Sequence, residues 1–165
     1  MERYWLTTHW PRLKREPHRF SVYFQQKFED VARQLHRNDR VLFYETVTGK
    51  ILLESLPDGT QRPLPRERGR GGIVATGTFS GSYHPLAAVQ QYADGTEMNW
   101  AWEVPVGDHD FEGFVRRDEV VRVLGFEPKY YMRGFGIRGS GVKELAAGQF
   151  TELAALFKAH DRLRQ

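Results

Sequence analysis

The chain has no cysteine among its 165 residues. That excludes disulfides, thiolate nucleophiles and thiolate-held metals. It also lacks any apolar run of about 18 residues, the length at which a segment reads as a membrane span. The opening Met1-Glu2-Arg3-Tyr4-Trp5 is not the basic-then-apolar run of a secretory leader, so a cytoplasmic protein with no membrane partner is expected. There is no Gly-x-Ser-x-Gly elbow, no phosphate-binding P-loop and no zinc-deaminase signature. The one local grouping of metal-type ligands, Gly107-Asp108-His109-Asp110, has neighbouring loop residues and no second histidine or carboxylate motif to complete a coordination geometry. No metal and no cofactor are expected, and no signature marks the chain as an enzyme.

What the chain does have is aromatic side chains. Four Trp, 7 Tyr and 11 Phe make up 13% of the residues, against 40% hydrophobic and 27% charged overall. A small β-rich core uses large rings to fill volume, and a minority of them are available to line a pocket. The formal charge of +3 and a pI near 9.3 permit nucleic-acid binding without demanding it. The length predicts one domain spanning residues 1–165, large enough to bury its own core.

Residues 3–8 alternate around Tyr4, Trp5 and Leu6 and predict a first strand, followed by a proline-punctuated basic loop from Trp10 to Arg19. In 22–35, Phe24, Phe28, Val31 and Leu35 fall at the spacing of one helical face. The expectation is one amphipathic helix, capped by Ser21, with a favourable Glu29–Arg33 pair. Arg40 to Tyr44 reads as a strand buried on both faces. Thr48-Gly49-Lys50 reads as a turn, with 51–56 a hairpin arm pairing back. Residues 57–72 read as a basic mobile loop, 73–80 and 97–106 as strands, and 86–92 as a weak helix. Residues 113–124 carry a short apolar stretch. The glycine-rich segment 129–141 precedes a second amphipathic helix with Phe150, Leu153, Ala154 and Phe157 on one face. Short strands with a helix near each end predict an α+β fold, a small partly closed β-barrel of about five or six strands flanked by helices.

Four pieces, in this order, resemble the EVE domain family within the PUA-like and YTH-like barrels. They are Tyr4-Trp5-Leu6, then 22–35 with Asp39-Arg40-Val41-Leu42-Phe43-Tyr44, then Gly72-Ile73-Val74 with Tyr83 and Pro85, then Gly139-Ser140-Gly141-Val142-Lys143-Glu144-Leu145. The chain departs from the family pattern at Val22-Tyr23-Phe24-Gln25-Gln26, and at Thr8-His9-Trp10, where the family usually has a lysine. The resemblance implies a PUA-like barrel that binds nucleic acid carrying a modified base, flipped into an aromatic cage. Modified cytosine in DNA is the first expectation and modified RNA the next. Aromatic walls return roughly 1–3 kcal/mol per stacked base. Two alternatives stay open: a small amidohydrolase acting on a modified nucleoside, as in the related ASCH barrels, and a non-catalytic interaction domain.

On that basis Trp100, Trp102, Tyr23 and Tyr83 are the expected walls. Trp100 and Trp102 lie two apart on a strand and face one side. Phe24, on the core stripe, is expected in the core. Thr8, His9, Trp10 and Gln25 end the first strand or open the helix, where they offer hydrogen-bond donors and acceptors to a base edge. Arg66, Arg68 and Arg70, with Lys129, Arg133 and Arg138, are the expected backbone contacts: cations near Tyr130 and Tyr131, as a phosphate-tracking surface requires. Each aromatic has core packing as its alternative, and each cation a solvated loop. The sequence leaves the oligomeric state open.

Overall fold

A computed structural model describes residues 2–11, 20–125 and 136–164, with backbone alone for 138 and 161–164. The elements in order are β1 (Tyr4–His9), β2 (Val22–Phe24), a 3-10 turn (Gln26–Phe28), α1 (Glu29–Ala32), β3 (Arg40–Glu45), β4 (Leu52–Ser55) and β5 (Gln61–Leu64). There follow β6 (Gly72–Phe79), β7 (His84–Tyr92), β8 (Glu97–Val104), β9 (Val106–Asp110), β10 (Val115–Arg116), α2 (Arg117–Leu124), a second 3-10 turn (Ile137–Gly139), β11 (Val142–Leu145) and α3 (Ala147–Arg164). The fold is α+β.

One sheet has six strands, in the order β10-β6-β3-β1-β11 with β9 also on β6; the other has five, in the order β2-β8-β7-β4-β5. Strands β1 and β3 run parallel, and the remaining pairs are antiparallel. The chain passes from the second sheet to the first at Pro105, between β8 and β9, so one strand turns the corner that joins them.

Period-two alternation explains why the first sheet is buried on both faces. From β1 and β3, Trp5, Val41 and Phe43 enter one cluster with Val22, Phe24, Phe28, Val31, Leu35 and Val104, which joins the two sheets. Their neighbours Leu6, Leu42 and Tyr44 point the other way, onto Val120, Leu124, Phe150, Leu153 and Phe157 of α2 and α3. A strand covered on both sides reads as a continuous apolar run, as Val41 to Tyr44 does.

The parallel start of β1 and β3 is fixed by a buried carboxylate. Asp39, 2% exposed, accepts hydrogen bonds from the Trp5 indole (3.0 Å), the Arg3 backbone N–H (3.1 Å) and the His36 backbone N–H (3.1 Å). A buried charge of this kind is tolerated because donors surround it.

Several expectations need correction. The segment 22–35 is not one helix. Val22–Phe24 is a strand on β8, Gln25 is extended, and only Glu29–Ala32 is α-helical. Ser21 therefore caps nothing, although the Glu29–Arg33 pair forms at 3.4 Å. The spacing did mark buried positions: Phe24, Phe28, Val31 and Leu35 are all in the core. What it missed is that β-branched and aromatic Val22-Tyr23-Phe24 alternates buried, exposed, buried and has an open edge of β8 to pair with.

Residues 86–92 lie in β7, not a helix; the partner strand outweighs the helix propensity of Ala87, Ala88, Gln90 and Gln91. Within 57–72, Gln61–Leu64 forms β5, and β4 pairs with β5 and β7 rather than back onto β3. The 113–124 stretch forms β10 and α2.

Candidate functional site

Where β1 runs out at its C-terminal end, a cavity of about 300 Å³ opens between the two sheets. Strand β1 and the residue after it contribute Thr7, Thr8, His9 and Trp10; β2 and the following turn contribute Val22, Tyr23, Phe24, Gln25 and Phe28. Thr46 comes from just after β3, Met98 and Trp100 from β8, and Gly139 to Val142 from the entry to β11. None of the described lining residues carries a formal charge except as histidine.

The floor is set by strand pairing. Thr7 pairs with Val142, and the Thr8 N–H donates to the Gly141 carbonyl at 3.0 Å. Gly141 has φ +83° and its Cβ position would lie 3.3 Å from the Thr8 hydroxyl, so glycine is the residue that lets this loop approach β1. The Thr8 hydroxyl itself reaches Gly141 O only at 3.5 Å, a weak bond.

His9 sits deeper. Its Nε2 is 2.8 Å from the Thr7 hydroxyl, and its ring tilts against Phe20 and Phe43 at 5.1 and 5.3 Å. Burial among these groups lowers its pKa to about 4, so at neutral pH the imidazole is uncharged, with one nitrogen a donor and the other an acceptor. Unfolded, the same side chain takes a proton near 6.5. The unfolded state therefore binds more protons between pH 4 and 6.5, and stability is full above 6.5 and falls as the pH drops toward 4. The expected loss from this group is about 1–3 kcal/mol, reduced from the full shift because His9 is half-buried and faces the cavity. Urea melts of wild type and His9→Gln across that window test it: the gap between them should close or reverse as the pH falls, and a constant gap contradicts it.

Tyr23, Trp100 and Trp10 are among the rings that wall the cavity. Tyr23 is 43% exposed, with its ring 6.2 Å from that of Trp100. The Trp100 indole donates to Gln90 Oε1 at 2.9 Å. Trp10 stands edge-on to Tyr92 at 5.3 Å, with the Arg66 guanidinium 5.3 Å from its ring centroid. The Gln25 amide lies 2.8 Å from Met98 Sδ, a weak acceptor from which a better partner can draw it.

The structure thus gathers Thr8, His9, Trp10, Tyr23, Gln25 and Trp100 around one cavity. Phe24 lines it from the core side. Trp102 and Tyr83 do not line it. Their rings meet edge-to-face at 5.4 Å against the main core cluster, with the Trp102 indole on the Gln26 carbonyl and the Tyr83 hydroxyl on Glu29.

Among the cations, Arg66 donates to the carbonyls of Lys50 (2.6 Å) and Pro11 (2.7 Å), and the Arg70 guanidinium lies over Phe114 at 3.8 Å. Arg68 is exposed. Lys129 and Arg133, with Tyr130 and Tyr131, lie outside the described residues, and Arg138 is described by backbone alone, in the 3-10 turn beside the cavity.

The His109 ring packs parallel to Phe111 with its Nε2 against the backbone of Phe20. Among the described residues no three His, Cys, Asp or Glu side chains gather as a metal site, and no helix is long and apolar enough to cross a membrane.

Sequence reasoning missed Met98, Thr46 and the Gly139-Ser140-Gly141 turn as lining. The turn reaches the cavity only because β11 pairs with β1, more than a hundred residues away in the chain. Met98 had a usable signal, since it lies two before Trp100 on the same strand face.

No family model matches the sequence, and no curated protein matches it. Among solved structures, the chain is similar to the crystal structure of human THYN1 protein in complex with 5-methylcytosine containing DNA. The TM-score is 0.49 and the identity 12%, covering 95% of this chain and 98% of that one. At 12% identity the chemistry of the cavity has to be read from this chain's own residues.

Proposed function

We propose that this protein binds nucleic acid carrying a modified base and holds that base, flipped from its stack, in the cavity at the end of β1. Modified cytosine in DNA is the favoured ligand. The observation that carries the proposal is the lining itself: Trp10, Tyr23 and Trp100 offer π-faces, while Thr8, uncharged His9 and Gln25 offer donors and acceptors.

Several physical features support it. A volume of about 300 Å³ is at the small end of ligand pockets and suits one heterocycle rather than a peptide or a dinucleotide. The neutrality of the described lining residues favours a neutral ligand, because an ion among them would be desolvated without a counter-charge. A flipped base loses its stacking, and aromatic walls return roughly 1–3 kcal/mol of it. A methyl on the base adds about 0.8 kcal/mol where it reaches those same walls. The sugar and phosphates would stay outside, toward exposed Arg68.

The test is binding to oligonucleotides matched except for one modified cytosine, in DNA and in RNA, at fixed salt. The modified strand should bind several-fold more tightly. Equal affinity for modified and plain strands in both polymers would sink the reading.

A further inference from the structure

We infer that Arg66, Tyr92 and Gln90, none of which lines the cavity, form a relay behind it that fixes the two tryptophan walls. Arg66 is then a positioning residue for base recognition rather than a phosphate contact. The inference rests on the reading that the cavity takes a base, but its structural half can be tested without one.

The relay is continuous. Arg66 sits over the Trp10 ring at 5.3 Å and donates to Pro11 O at 2.7 Å and to Lys50 O at 2.6 Å. Those two carbonyls flank the wall. Pro11 follows Trp10 directly, and Lys50 follows Gly49, on which the indole rests: a Cβ at Gly49 would lie 2.5 Å from Trp10 Cγ. One guanidinium therefore holds the ring, the chain that carries it and the platform under it.

From Trp10 the contact passes to Tyr92, edge-on at 5.3 Å and 2% exposed, so it has no room to swing away. The Tyr92 hydroxyl donates to Gln90 Oε1 at 3.0 Å, and the Trp100 indole donates to that same oxygen at 2.9 Å. Strand geometry explains the convergence. Gln90 and Tyr92 are two apart on β7, and Gln90 pairs with Met98 on β8, two before Trp100, so all three side chains share a face. A carbonyl oxygen with two lone pairs serves both donors. Recognition sites need walls held to within a fraction of an ångström, and groups behind the first layer do that holding.

The experiment compares wild type with Arg66→Gln, Gly49→Ala, Tyr92→Phe and Arg68→Gln. Gly49→Ala pushes Trp10 without removing charge; Arg68→Gln removes the same charge as Arg66→Gln but leaves the relay intact.

In the unliganded protein, the Trp100 indole N–H resonance, assigned with Trp100→Phe, should move in Arg66→Gln, Gly49→Ala and Tyr92→Phe, and stay in Arg68→Gln. An unmoved Trp100 resonance in all three relay variants overturns the relay. In binding, Arg66→Gln should lose about tenfold in affinity for the methylated strand and most of its preference over the plain strand, with the slope of log affinity against log salt unchanged. If instead the slope falls by about one and both strands weaken equally, Arg66 is a phosphate contact and the assignment is overturned. A wild type that binds no oligonucleotide sinks the base-reading proposal and leaves the resonance shifts to judge the relay. Tyr92→Phe keeps the ring and its packing, so the relay stays testable even where Arg66→Gln or Gly49→Ala fails to fold.

Discussion

Trp100→Ala should weaken binding of a strand carrying one modified cytosine by about 5- to 150-fold, the range that the loss of one stacking ring implies. Trp100 lines the cavity, is oriented by Gln90 and stands 6.2 Å from Tyr23. Truncation removes one wall of the slot and lets water in. The plain strand gains less from the pocket and should lose less, so discrimination falls along with affinity. Trp102→Ala makes the control. Trp102 is on the same strand and the same face, yet it packs on Tyr83 and the core instead of lining the cavity. Its truncation should show in the urea midpoint, with preference for the modified strand kept. Titration of both variants with labelled matched strands reads this directly. A Trp100→Ala variant that binds and discriminates like wild type contradicts the assignment of this wall.

The second large effect is on stability. Asp39→Ala should cost about 3–5 kcal/mol, because three donors lose their acceptor at about 1–3 kcal/mol for each one buried. The carboxylate accepts from two backbone N–H groups and one indole, all beside buried Trp5, and truncation leaves those donors without an acceptor. Asp39→Asn is milder in shape but turns an N–H₂ toward donors, and should cost about 1–3 kcal/mol. Urea unfolding with an unchanged m-value checks both. A loss under about 1 kcal/mol for Asp39→Ala would mean that the carboxylate does not hold β1 to β3.

The sequence was legible where chemistry is local. Tyr4–His9 and Arg40–Glu45 alternate or run apolar over their whole length, and no competing element uses those residues, so both strands appear where expected. The Asp39 to Tyr44 stretch is informative for a physical reason: the carboxylate pins the strand start, and the apolar run feeds two cores.

Legibility failed where an edge strand decided the outcome. Val22 to Leu35 carries a helical spacing that is real as a list of buried positions, but the first three residues pair with β8. The pairing cannot be seen without knowing that β8 has a free edge. The same blindness hid β7, whose Ala and Gln residues favour helix in isolation. That error concealed Gln90 and Tyr92, and with them the support of both tryptophans. Trp100 and Trp102 share a strand face but not a cavity, because Trp102 packs on Tyr83 against the core. The stretches Thr8-His9-Trp10 and Tyr23 to Gln25, separate in the chain, meet in the cavity.

The central claim, that a modified base enters the cavity between Trp10, Tyr23 and Trp100, is tested most directly by recording indole N–H resonances during titration with DNA carrying a single 5-methylcytosine. The account predicts large shifts at Trp10 and Trp100 that the plain strand does not reproduce, with Trp5, buried at Asp39, unmoved. Identical shifts from both strands, or tight binding with Trp10 and Trp100 both silent, would contradict it.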